Sequence, residues 1–212
     1  MGIDVPAETN ASQGCQRRIG LTGGIASGKS SVARLLAERH GVPVLDADGY
    51  AREALAPGSA AARAVAAHFG GGVLARGSDP DVALIDRAAL GSVVFADPAA
   101  RHWLEQLVHP LVRERFDAEL ARLAGAPVVV LMIPLLLEAG LEGLCSEIWL
   151  VDCDETQQLE RLMARNGLAE AEARARIGAQ WPLAGKRTLA TVVIDNRGTP
   201  FALEDRVARA LA

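Results

Sequence analysis

Residues 19–36 read IGLTGGIASGKSSVARLL, and no other stretch restricts the fold as tightly. Gly23, four further residues and then Gly28-Lys29-Ser30 match G-x-x-x-x-G-K-[ST]. The flanks match too, with a short apolar strand predicted at 18–22 and an amphipathic helix at 29–40. In such a loop the glycines let the backbone curl until successive N–H groups point inward and cradle phosphate oxygens. The helix that follows adds the positive end of its dipole. Gly24, Ile25, Ala26, Ser27, Gly28, Lys29, Ser30 and Ser31 therefore read as a nucleotide-phosphate cradle. Lys29 would reach the β- and γ-phosphates, and the Ser30 hydroxyl would ligate Mg²⁺. The motif names a phosphate, not a nucleotide or a reaction.

The whole chain sets limits on the rest. Its 212 residues suit one domain, and 50% apolar residues suffice for a substantial core. A net charge of −4 argues against a broad nucleic-acid footprint, so no nucleic-acid partner is expected. No window approaches 18 uninterrupted apolar residues, and no membrane span is expected. Lys29 and Lys186 are the only lysines, with arginine supplying the remaining cations. Cys15, Cys145 and Cys153 form no C-x-x-C pair, which suggests reduced thiols in a cytoplasmic protein. Residues 1–18 lack an apolar signal core and read as a disordered tail or a mis-assigned start. A single domain is expected over 19–212.

Read in order, the helix at 29–40 carries Val32, Leu35 and Leu36 as its stripe and ends at Gly41. A second strand at 42–45 ends in Asp46-Ala47-Asp48. Strand, crossover helix, strand makes a βαβ unit and a parallel sheet, whose ligands sit at the carboxyl ends of its strands. Asp46 and Asp48 fall there, and one of them is expected to cap the following helix. Arg52, four residues on, would share a helical face with Asp48. Helical patterns then dominate residues 49–97, as expected of a substrate-binding insertion. Asp97-Pro98 starts another helix. Pro110 is expected to break it, with His109 as the N-cap of a second helix.

Further buried strands are expected at 128–133, 148–151 and 191–194, giving five in all. Asp154-Glu155-Thr156-Gln157 is a capping-box-like helix start, and Arg161 and Arg165 follow on one face. The arginine-rich hairpin at 157–187 is expected to be a lid. The architecture is α/β and three-layered, with a five-stranded parallel sheet, a helical insertion and a helical lid.

Among phosphate-loop proteins, a GTPase would need N-K-x-D, yet both lysines follow glycine. A motor-type ATPase would want an acidic pair ending a buried strand, whereas the apolar strand at 128–133 runs into Pro134. A small-molecule kinase needs the loop, an acidic group near the acceptor, a helical insertion and an arginine-bearing lid, and each has a candidate here. A further alternative is a nucleotide-binding module that switches partner contacts.

Gly20–Ser30, Asp46-Ala47-Asp48 with Arg52, Leu104-Glu105 with His109-Pro110, Pro134 with Glu138, Gln157 with Arg161 and Arg165, and Ile194-Asp195-Asn196 together resemble the dephospho-coenzyme A kinase family. The resemblance covers residues 19–212 in order. It implies a P-loop NTPase fold and a transfer of the ATP γ-phosphoryl group to the ribose 3′-hydroxyl of dephospho-CoA. It also implies that Asp48 orients or deprotonates that hydroxyl, and that Arg52, His109 and Pro110 bind the acceptor. Lys29, Arg161 and Arg165 would assist transfer, Asn196 would lie near the adenine of ATP, and the enzyme would work as a monomer or small homo-oligomer. Five residues depart from the family pattern: Ala26, Leu137, Thr191 and the Trp181-Pro182 pair within the lid.

Overall fold

The computed structural model describes residues 16–79 and 82–212. The start of the proposed tail, with Cys15, lies outside the described residues. The first strand, β1 (Arg17–Gly23), takes Arg17 and Arg18 into the sheet. It is followed by α1 (Lys29–His40), β2 (Val44–Asp46) and α2 (Ala47–Ala54). Next come α3 (Ala60–Phe69), α4 (Arg87–Ala96) and α5 (Pro98–Arg122). After β3 (Val128–Met132) and β4 (Glu147–Asp152) stand α6 (Glu155–Asn166), α7 (Glu170–Gly178) and α8 (Leu183–Arg187). The chain closes with β5 (Val192–Asp195) and α9 (Pro200–Leu211).

The five strands form one sheet in the order β2-β3-β1-β4-β5, and every pairing is parallel. Side chains alternate across it, because successive residues of a strand point to opposite faces. Ile19, Leu21, Val130, Trp149 and Val151 pack with Val32 and Leu36 of α1 and Leu203 and Val207 of α9. Val129 and Leu131 turn the other way, onto Phe116 and Leu120 of α5. Gly20 lies between those layers: a Cβ there would sit 2.6 Å from Cys145 Sγ and 2.8 Å from Leu136. The sheet therefore packs closely on both faces and presents the ends of β1, β2 and β3 at one edge.

The insertion has its own small core. Val65, Val73 and Leu90 are buried with Trp103, Leu104 and Leu107 of α5 packed on them. The His68 ring stacks on Trp103 at 3.8 Å between centroids and 6° between planes. The lid core is smaller still, with Leu159, Leu162 and Ala173 against Ile25 of the loop. Among the described residues no helix is long and apolar enough to cross a membrane.

One expectation fails. Pro110 does not break the helix: α5 runs unbroken for 25 residues with Pro110 inside it, and His109 caps nothing. An interior proline costs about 3 kcal/mol through its missing N–H and its ring. Burial on both sides offsets that cost. Leu104, Leu107 and Val108 lie N-terminal to it and Phe116 and Leu120 C-terminal to it, so a kink would pull one set out of its core.

Candidate active site

The loop between β1 and α1 is tightened by neighbours that leave no room for side chains. Gly28, at φ 105°, would place a Cβ 2.0 Å from Nδ2 of Asn196, which donates to the Ser27 carbonyl at 2.8 Å. At Gly24 the obstacle is Gln158 Nε2, 2.2 Å from such a Cβ, which donates to the Ile25 carbonyl at 2.8 Å. The Ile25 N–H in turn donates to Gln180 Oε1 at 2.7 Å. Two lid residues thus clasp the loop that should cradle phosphate. Ala26 takes φ 58°, the left-handed region that a glycine would enter freely. Lys29 folds back and donates to the carbonyls of Gly23 (2.9 Å) and Gly24 (2.8 Å). Ser30 is exposed in the first turn of α1, and the Ser31 N–H donates to the Gly28 carbonyl at 3.0 Å.

The two aspartates after β2 have separate tasks. Asp46 is the N-cap of α2, its Oδ1 accepting from the Asp48 N–H at 3.0 Å. Its Oδ2 pairs with Arg52 at 3.4 Å, so Arg52 turns to Asp46 rather than to Asp48. Asp48 then borders a cavity of about 530 Å³ together with Ala51, Leu104, Val108 and Phe116. Glu105, His109, Pro110 and Arg113 line the same wall from α5, whereas Arg52 does not.

Charge links this acceptor-side carboxyl to the loop lysine. The Lys29 ammonium is depressed to about 8, first by burial and next by the Lys186 charge. Arg165 acts in the same direction, while Asp48 and Glu138 oppose. The Asp48 carboxyl is raised above its ordinary value, first by the cleft walls that displace water and next by the Asp46 charge. Arg52 and Lys29 pull it back down. By surface area Asp48 is exposed.

The two lid arginines occupy different ground. Arg161 donates from Nη2 to the Asn196 carbonyl at 3.0 Å, and its buried Nη1 has no partner among the described residues. Arg165 is exposed, bonded to Asn166 at 2.9 Å, with its charge felt at Lys29. Lys29 thus lies within electrostatic reach of Asp48 and Arg165, and Arg161 meets the backbone of Asn196, whose amide lies beside Gly28.

Sequence reasoning missed several groups. Gln158 and Gln180, which clasp the loop, belong to no motif. Asp152 at the end of β4 is buried between Arg187 at 2.9 Å and Arg197 at 2.8 Å. Lys186 pairs with Glu138 at 2.6 Å. The available signal was the scarcity of lysine: where arginine has replaced nearly all others, a retained second lysine stands out.

A family model described as dephospho-CoA kinase matches residues 17–200. The chain belongs to the dephospho-CoA kinase family. It is 62% identical over 196 residues to the dephospho-CoA kinase of Synechococcus sp. (strain CC9605), covering 92% of each chain. To that of Parasynechococcus marenigrum (strain WH8102) it is 65% identical over 183 residues, covering 86% of this chain and 89% of the relative. Among solved structures, TT1252 from Thermus thermophilus superposes with a TM-score of 0.81 at 39% identity, covering 93% of this chain and 97% of that one. The phosphate loop, Arg161 and Arg165 lie within the residues matched to the dephospho-CoA kinase family.

Proposed function

We propose that the chain transfers the γ-phosphoryl group of ATP to the ribose 3′-hydroxyl of dephospho-CoA, giving coenzyme A and ADP. The observation that carries this reading is the pairing of Lys29 and Asp48. A phosphate-loop ammonium and a carboxyl that lines a large apolar cavity lie within electrostatic reach of each other. Phosphoryl transfer asks mainly for in-line positioning and charge stabilisation.

In the reaction, the 3′-oxygen bonds to the γ-phosphorus while the bond to the β,γ-bridging oxygen breaks, leaving its electrons on ADP. The hydroxyl proton passes to the Asp48 carboxylate. Lys29 releases the Gly23 and Gly24 carbonyls to bind β- and γ-oxygens, and Arg165 adds charge from the lid. Arg161 and Asn196 serve the nucleoside end. Ser30 would hold Mg²⁺ through its hydroxyl. When bound, Mg²⁺ supplies charge neutralisation between the β- and γ-phosphates.

On the acceptor side, Glu105, His109 and Pro110 of α5 and the start of α2 form the wall, and the insertion at 49–97 carries it. Arg52 acts through Asp46, fixing the turn that presents Asp48. The lid at 157–187 closes over the donor. The free thiols of Cys145 and Cys153 suit a cytoplasmic setting.

An ATP-consumption assay across dephospho-CoA, AMP, shikimate and gluconate tests the reading. Turnover with dephospho-CoA alone is expected, and turnover with another acceptor but not with it would overturn the proposal. Asp48→Asn is expected to lower kcat by about 100-fold or more with little change in ATP affinity.

A further inference from the structure

The two lysines of this chain lie close together, and only one belongs to the phosphate loop. Lys186 sits on α8, where the lid returns to the sheet, and its side chain has no exposed surface. Burying an ammonium is costly unless it is paired and hydrogen-bonded. Here the pairing is incomplete. The ammonium meets Glu138 Oε1 at 2.6 Å, but forms no well-aligned hydrogen bond among the described residues. The second oxygen of Glu138 is buried and likewise without a partner.

Three observations set this ammonium near the phosphate loop. Its charge is the second-largest influence on Lys29, after burial, so the two cations lie within electrostatic reach of each other. The α8 residue Leu183 packs against Gly24, where a Cβ would lie 3.5 Å from its Cδ2. Glu138 follows β3 by six residues, and its Oε1 also accepts from the Trp181 N–H at 3.2 Å, so it pins both ends of the lid's returning limb. Lys29, Lys186 and Arg165 set against Asp48 and Glu138 leave a surplus of positive charge. A phosphoryl group carrying several negative oxygens would neutralise it.

We infer that Lys186 is a second phosphate-binding cation of the donor site, and that Glu138 holds it in place until the γ-phosphoryl oxygens take over. The inference rests on the reading of the site as one for ATP. Arrival of the γ-phosphoryl group gives the Lys186 ammonium the acceptors it lacks, and the same event joins the returning limb of the lid to the bound nucleotide.

Because Lys29 and Lys186 are the only lysines, ¹³Cε-lysine labelling of the intact protein gives two side-chain signals. Adding the β,γ-imido analogue of ATP with Mg²⁺ is expected to shift both, and ADP to shift Lys29 with a smaller effect on Lys186. A shift of Lys29 alone with the analogue overturns the role of Lys186 and leaves the ATP reading standing. A shift of neither overturns both.

The second arm separates charge from packing. The neutral pair Glu138→Gln with Lys186→Met removes the ion pair as a unit, which keeps folding close to the parent more often than removal of one partner. The expected result is a kcat about 100-fold lower in that folded double variant, with Lys186→Arg retaining most activity. A double variant with kcat within about threefold of the parent would reduce the pair to a packing device.

Discussion

On the proposed reading, the donor and acceptor halves of the site would recognise their ligands by opposite means. The donor half is a backbone loop clasped by Asn196, Gln158 and Gln180 and crowded with charge from Lys29, Lys186 and Arg165. The acceptor half is a cavity of about 530 Å³ whose wall is mostly alanine, leucine, valine and phenylalanine, with Asp48 also lining it. One half holds a charged group at fixed distances, and the other holds a shape. Loss of a charge should therefore act on kcat, and loss of space should act on the acceptor's KM.

The sharpest way to break that division is Lys29→Ala, expected to lower kcat by about 1,000-fold. A steady-state assay that found mainly a weaker acceptor KM would erase the distinction. A smaller effect is expected from filling the apolar half. Ala51→Trp should raise the KM for dephospho-CoA about tenfold or more while ATP binding, followed by calorimetry, stays within about twofold. Coupled loss of ATP affinity would mean that the two halves are one site.

A gentler test uses pH. The Lys29 ammonium is the form that binds phosphate, and it is lost as pH rises through about 8. The alkaline limb of kcat/KM for ATP should therefore lie near pH 8 and move upward in Lys29→Arg. The acid limb belongs to Asp48 and should lie above the range of an ordinary aspartate, because its carboxyl is raised. For stability the sign of Lys29 is reversed. Its folded value is below the ordinary lysine value of 10.5, so the charged form costs stability in full below about 8 and less as pH climbs. Smallest of all is Ala26→Gly, expected to raise stability by about 1 kcal/mol by relieving the left-handed backbone at φ 58°.

The same contrast explains what was legible in the sequence. The donor half depends on backbone geometry, which demands particular residues at fixed spacing, so Gly23 to Ser30 could be read directly. Capping is similarly local, and the split between Asp46 as cap and Asp48 as cleft carboxyl follows from it. The acceptor half is built from alanines and leucines that also build any core, and nothing in their spacing marks a cavity. Lys186 and Glu138 are 48 positions apart and meet only because β3 and the lid return to one edge of the sheet. The proline in α5 misled for the opposite reason. A local rule gave a correct cost, but tertiary burial on both sides of Pro110 outweighed it.

That unbroken helix has a mechanical consequence. Its first half roofs the acceptor cavity and is the floor of the insertion's small core, while its second half is riveted to the sheet through Phe116 and Leu120. The insertion cannot loosen as a separate flap without bending a rod that is anchored in the domain's main core. The lid, by contrast, has an apolar core of only three buried residues against Ile25, so moving it would expose far less apolar surface than moving the insertion. The enzyme would open its donor side at little cost and keep its acceptor side rigid.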